Sequence, residues 1–177
     1  EVHRLDNGLE VVLQPDPSTE RVGLCVSYLV GARDRPGGHR GLAHLTEHLM
    51  FEGSRNVADD EFYGTLERAG ATFYQAITDP DRTEYIEVLP ARHLPTALWL
   101  ESDRMAFMLA RLDEDTVATQ RAVVVREFRQ TVQDSPLART RQSIRQISRG
   151  RAPLAVLRWA RAPGQAPASS RKAPGPR

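Results

Sequence analysis

Apolar runs near the start of the chain predict short β-strands. Residues 2–5 and 9–13 flank the dipeptide Asn7-Gly8, which is typical of a tight hairpin turn. Residues 22–30 form a nearly continuous apolar run. We expect a mostly buried strand there, which also buries the thiol of Cys25.

Further along, apolar residues recur at helical spacing. The predicted elements, in chain order, are a loop at 31–41, a helix at 42–51, a helix from Asp59 or Asp60 to about 68, strands at 71–78 and 83–89, and helices at 91–109 and 113–133. This order favours an α+β fold, with an antiparallel-rich sheet packed against helices, over regular βαβ units. The packing residues expected on the two long helices are Leu94, Leu98, Trp99, Leu100, Met105, Phe107, Met108, Val117, Val124 and Phe128.

The end of the chain differs in composition from the rest. After Asp134 every charged residue is basic, although the net charge of the whole chain is only +1. Residues 150–177 are mostly Arg, Ala, Pro, Gly and Ser, so we expect a disordered tail after a domain at 1–149. A shifted reading frame is one hypothesis for the origin of this tail. No aromatic pattern or nucleic-acid module accompanies the basic charge, so we expect no nucleic-acid partner.

The sequence leaves the compartment open. Residue 1 is Glu, so we expect the chain to begin inside a longer product. The sequence leaves open whether that product carried a secretion signal that has been removed. The chain has a single cysteine and can form no intrachain disulfide. Its cysteine content therefore does not distinguish a periplasmic or secreted location from a cytoplasmic one. No apolar run approaches the length of a membrane span.

The segment His44-Leu45-Thr46-Glu47-His48 carries the strongest chemical signal. His44 and His48 lie one helical turn apart on the same face, so both imidazoles can reach one zinc ion at about 2.0–2.1 Å. Glu47 lies on that face and can take a proton from a water bound to the metal. The order H-x-x-E-H is the inverzincin signature. The alternative is a helix with two ordinary histidines.

A catalytic zinc site needs a third protein ligand and an open position. Glu127, on the second long helix, is the candidate for the third ligand. Considered alone, Glu127 would be interpreted as a solvated helix glutamate, which is the usual role of such a residue.

Four segments, in the same order, resemble the M16 peptidases, the family of pitrilysin, insulysin and mitochondrial processing peptidase. These segments are residues 5–9, 41–54, 70–85 and 120–127. The resemblance covers roughly residues 1–135. It implies one half of a clamshell-type metallopeptidase, here incomplete, and a second half or subunit as a partner.

The resemblance also implies roles for individual residues. His44, His48 and Glu127 bind Zn²⁺, and Glu47 acts as the general base. A peptide or small protein substrate adds as a strand at the sheet edge near Gln75 and Ala76.

This chain departs from the family at three points. Gln120 stands where the family often has a supporting glutamate, and Gln75 stands where an asparagine is common. The chain is also short. The sequence therefore leaves two functions open: a zinc metalloendopeptidase, or a zinc-binding but non-catalytic peptide-binding or partner subunit, including a truncated relic.

Overall fold

The computed structural model describes residues 1–133 and Thr140. Residues 1–16 group apart from the described residues that follow Asp16, and the two parts are described separately. In the first part, strands β1 (Val2–Arg4) and β2 (Glu10–Val12) pair antiparallel and form the predicted hairpin. The predicted tail at 150–177 lies outside the described residues.

The second part is built on a three-stranded antiparallel sheet. Its strands are β3 (Arg21–Tyr28), β4 (Phe73–Thr78) and β5 (Thr83–Pro90), in the spatial order β3-β5-β4. The predicted turn between the last two strands is closed by a 2.8 Å hydrogen bond from the Asp79 amide to the Arg82 carbonyl. The predicted α+β class with antiparallel sheets is confirmed.

Four α-helices accompany this sheet within residues 1–133. They are α1 (Leu42–Leu49), α2 (Glu61–Arg68), α3 (Leu94–Phe107) and α4 (Glu114–Phe128), and a π-helical turn at Arg129–Gln133 follows α4. Gly53 has a φ of +91°, and a Cβ there would lie 2.9 Å from the Val57 carbonyl, so this turn after α1 requires glycine. None of the helices described is long and apolar enough to cross a membrane.

The prediction of a mostly buried strand at 22–30 is wrong. Side chains along β3 alternate between half-buried and exposed, and Cys25 is exposed rather than buried. On one face of the sheet, Val22 and Leu24 pack against the cluster that contains Leu89 of β5 and Ala97 of α3. Cys25 points to the other face, because neighbouring residues of a strand point to opposite sides.

Several of the expected packing positions are also wrong. Leu98, Trp99 and Met105 are each nearly half exposed, and so is Phe128 on α4. The buried residues of α3 are Ala97, Leu100, Glu101, Asp103 and Arg104. Helix α3 therefore buries charged residues. The periodicity of apolar residues in the sequence cannot predict this, because it assigns only apolar side chains to the interior.

Two of these buried charges, Glu101 and Arg104, form with Glu87 of β5 what we call the inner cluster, whose members are 1–3% exposed. The Arg104 guanidinium donates two hydrogen bonds to the Glu101 carboxylate, the one from Nε at 2.9 Å. Its Cζ atom also lies 4.1 Å from the ring centre of Tyr85 and 4.3 Å from that of Phe62. Burial, followed by the adjoining Glu101 carboxylate, raises the pKa of Glu87 to about 8.

Candidate metal centre

Helix α1 packs against strand β4 and helix α4. It begins after Gly41, whose φ of +76° is in the left-handed region that glycine adopts freely. Ala43 and Leu49 face the interior. His44 and His48 are only partly buried, with side chains 33% and 19% exposed, so both rings remain accessible beside α4.

Three side chains meet in the space between α1 and α4. His44 Nε2 and His48 Nε2 lie 3.2 Å apart. Glu127 Oε2 lies 3.3 Å from the first nitrogen and 3.4 Å from the second. These three atoms form a nearly equilateral triangle. His44 and His48 come from the H-x-x-E-H segment, and Glu127 follows about eighty positions later in the chain.

Glu47 is adjacent to this triangle and is only 9% exposed. One ligand atom each from Glu47, His44 and His48 lies within 4.8 Å of the others, which is a grouping able to hold a metal ion. The Thr78 hydroxyl, at the end of β4, donates a hydrogen bond to Glu47 Oε2. The strand therefore fixes the carboxylate from the side opposite the helix.

Helix α4 brings the distal residues to the site. Its first turn is capped by Asp113, whose carboxylate accepts a 2.8 Å hydrogen bond from the Thr116 amide. Gln120 and Glu127 are seven residues apart, two turns of helix, so they share the face that meets α1.

Gln120 contacts two side chains of the first half of the domain. Its Oε1 lies 3.2 Å from His48 Nδ1, and its Nε2 donates a 2.7 Å hydrogen bond to Glu52 Oε1. Burial, followed by the negative charges of Asp59 and Asp60, raises the pKa of Glu52.

The two residues predicted to bind substrate lie on β4. Gln75 is exposed and Ala76 is half-buried. Within the described sheet, β4 pairs only with β5, so its other edge is not paired to a strand of that sheet. The substrate role of these two residues remains a prediction.

Two residues of the site were missed at the level of sequence. Glu52 follows His48 by four residues, and this helical spacing was the one local signal for it. Thr78 carried no signal, because its contact with Glu47 depends on how β4 packs against α1.

An α+β domain with H-x-x-E-H on a helix and a glutamate converging from a second helix has the features of the inverzincin class of metallopeptidases. The chain belongs to the insulinase family, peptidase family M16, whose family model matches residues 10–155.

Relatives and solved structures agree with this family. The zinc protease PqqE of Helicobacter pylori is 34% identical over 134 residues, which are 75% of this chain and 30% of that protein. A crystal structure of a protease from Helicobacter pylori has a TM-score of 0.72 at 33% identity, over 78% of this chain and 33% of that one. The first half of the periplasmic protease PqqL from Escherichia coli has a TM-score of 0.71 at 26% identity, over 82% of this chain and 32% of that one.

The chain thus spans about a third of the length of these relatives. The match to the first half of PqqL agrees with the expectation that this domain is part of a two-part protease.

Proposed function

We propose that this chain is the catalytic part of a zinc metalloendopeptidase, with His44, His48 and Glu127 as metal ligands and Glu47 as the general base. The observation that carries the proposal is the triangle of ligand atoms with sides of 3.2, 3.3 and 3.4 Å. Ligands bound to zinc at 2.0–2.1 Å in a tetrahedron are about 3.3 Å from one another. The triangle therefore matches one face of a zinc tetrahedron and leaves the fourth position open.

The chemistry of the donor set also fits zinc. Two imidazole nitrogens and one carboxylate oxygen form the His₂Glu combination found in catalytic zinc sites. Zinc bound there lowers the pKa of water and polarises a carbonyl oxygen.

Glu47 is placed to move the proton of this reaction. Its carboxylate lies beside the triangle, largely screened from solvent, and is oriented by the Thr78 hydroxyl. As general base it takes a proton from the attacking water, and as general acid it then returns that proton to the leaving amine. The peptide bond to the amine breaks, and the new carboxylate keeps the oxygen of the water.

The edge of β4 is the proposed binding place for the substrate. An extended peptide can add to a strand edge through main-chain hydrogen bonds, and β4 ends beside α1 at Thr78. Gln75 and Ala76 would then flank the peptide, whose scissile bond passes in front of Glu47.

The second candidate function is that of a zinc-binding but non-catalytic partner subunit. Two observations favour it: Gln120 provides no charge of its own beside His48, and the chain spans about a third of the relatives. In this case a second half contributes what is needed for turnover.

Metal analysis and peptide cleavage, measured together on the full chain, separate the two functions. The metallopeptidase proposal predicts one zinc per chain and cleavage of a mixed peptide library. Zinc without cleavage supports the partner subunit instead. Absence of zinc contradicts both.

Two substitutions test the division of roles. His48→Ala removes a ligand, so zinc should be lost together with turnover. Glu47→Gln keeps the shape of the side chain but not its basicity, so zinc should remain and turnover should fall by at least about a hundredfold. Equal loss of zinc in both variants would show that Glu47 is a ligand rather than the base.

A further inference from the structure

Glu52 has no role in the proposed function, yet it lies at the end of a chain of contacts that leads to a metal ligand. Gln120 links Glu52 to His48, with Nε2 2.7 Å from the Glu52 carboxylate and Oε1 3.2 Å from His48 Nδ1. These three side chains come from α1, the turn after it and α4. We call this chain of contacts the Glu52 relay.

The direction of each hydrogen bond follows from the chemistry of Glu52. An ionised carboxylate only accepts hydrogen bonds, so the amide of Gln120 must present its NH₂ group to Glu52. Its carbonyl oxygen then faces His48 and can only accept. His48 must therefore carry a proton on Nδ1, which keeps Nε2, beside His44 and Glu127, as the nitrogen available to a metal.

Without the carboxylate, this order is lost. An amide at position 120 has no preference of its own between donating and accepting, since both ends are nearly the same size. If the amide turned over, its NH₂ group would face His48 Nδ1 and favour the tautomer protonated on Nε2, which cannot bind a metal through that nitrogen.

We propose that Glu52, acting through the amide of Gln120, is a positioning residue that sets the tautomer and orientation of His48 for zinc binding. This inference rests on the proposed zinc site. It also explains how a chain with a neutral glutamine at position 120 still has a negative charge near His48. Glu52 carries that charge and is connected to His48 through the Gln120 amide. Partners of this kind typically change metal affinity by about 10–100-fold.

The test compares zinc affinity in four forms of the full chain, measured by competition with a chromogenic chelator. Glu52→Gln should weaken zinc binding by about 10–100-fold. In a Gln120→Glu background a carboxylate contacts His48 directly, and Glu52→Gln then removes a repulsion between two acids. In that background the same substitution should leave zinc affinity unchanged or raise it.

This reversal of sign separates a relay from a purely structural role. If Glu52 only stabilised the fold, its substitution would weaken zinc binding equally in both backgrounds, and the proposal would be overturned. Asp59→Asn is the matched control, because it removes a charge that acts on Glu52 without taking part in the relay. It should change zinc affinity by less than about threefold.

A second readout does not depend on zinc. In the metal-free protein, ¹⁵N chemical shifts of the His48 imidazole should show a proton on Nδ1 in the unsubstituted chain and partial loss of that proton in Glu52→Gln. The same occupancy of Nδ1 in both would contradict the relay. If the unsubstituted chain binds no zinc, the proposed function fails, and this measurement still decides whether the relay exists.

Discussion

The candidate metal centre and the inner cluster are two groupings of charged side chains that differ in how they are neutralised. The inner cluster holds two carboxylates, and its own cation, Arg104, donates two hydrogen bonds to one of them. In the candidate metal centre, Glu127 lies within ion-pair distance of two histidines, His44 and His48, among the described residues. The inner cluster is 1–3% exposed, whereas the side chains of His44 and Glu127 are 33% and 43% exposed.

The difference separates a structural use of charge from a functional one. A buried pair that contains its own cation is neutralised internally, and breaking it leaves an uncompensated charge. A grouping of convergent, partly exposed donor atoms without such a cation is open to a metal from solution. Both groupings contain carboxylates next to a helix, so the type of residue alone does not distinguish them.

The largest expected effect comes from removing the cation of the inner cluster. Arg104→Met keeps most of the side-chain volume but leaves Glu101 buried without a partner. The free energy of unfolding, measured with urea, should fall by about 3–5 kcal/mol. Zinc affinity of the folded fraction should stay nearly constant, because the metal ligands lie on other helices.

A surface arginine provides the matched control. Arg68 pairs with Glu61, but both side chains are more than half exposed. Arg68→Met should therefore cost less than about 1 kcal/mol. Similar losses for the two substitutions would mean that burial does not make the Arg104–Glu101 pair more important for stability than a surface pair.

The next largest effect is a pH dependence of the inner cluster. The pKa of Glu87 is about 8 in the folded chain, against an ordinary value of 4.5. The folded state therefore holds the proton over a range in which the unfolded chain has lost it. Stability from this group is fully present below about pH 4.5 and is lost as the pH rises towards 8.

Glu87→Gln should flatten this dependence. The amide cannot ionise, so the variant should gain roughly 2–3 kcal/mol relative to the unsubstituted chain between about pH 5 and 8. Urea unfolding at a series of pH values measures the gain. Glu61→Gln, on the surface, should leave the pH profile unchanged; an unflattened profile for Glu87→Gln would contradict the assignment of the pH dependence to Glu87.

The comparison also shows how far the sequence could predict this molecule. The sequence already pointed to three residues that converge in the structure, His44 and His48 through helical spacing and Glu127 through the order of matching segments. Their role as metal ligands stays a prediction. The inner cluster was not predicted, because Glu101 and Arg104 look like surface residues until α3 is placed on the sheet. Trp99 and Cys25 were misplaced for the same reason: the covered face of an element is decided by its neighbours in space.

The smallest effect concerns Thr78, the strand residue that contacts Glu47. Thr78→Val keeps the shape of the side chain but removes the hydroxyl that donates to the carboxylate. Since a hydrogen bond to a charged group contributes about 1.5–3 kcal/mol, part of which Glu47 recovers from water, we expect kcat to fall by about tenfold. Zinc affinity should change little, and Thr78→Ser, which keeps the hydroxyl, should retain most of the activity. A loss of zinc in Thr78→Val would instead place Glu47 among the ligands, making the metal centre a group of four protein donors with no open position for a substrate.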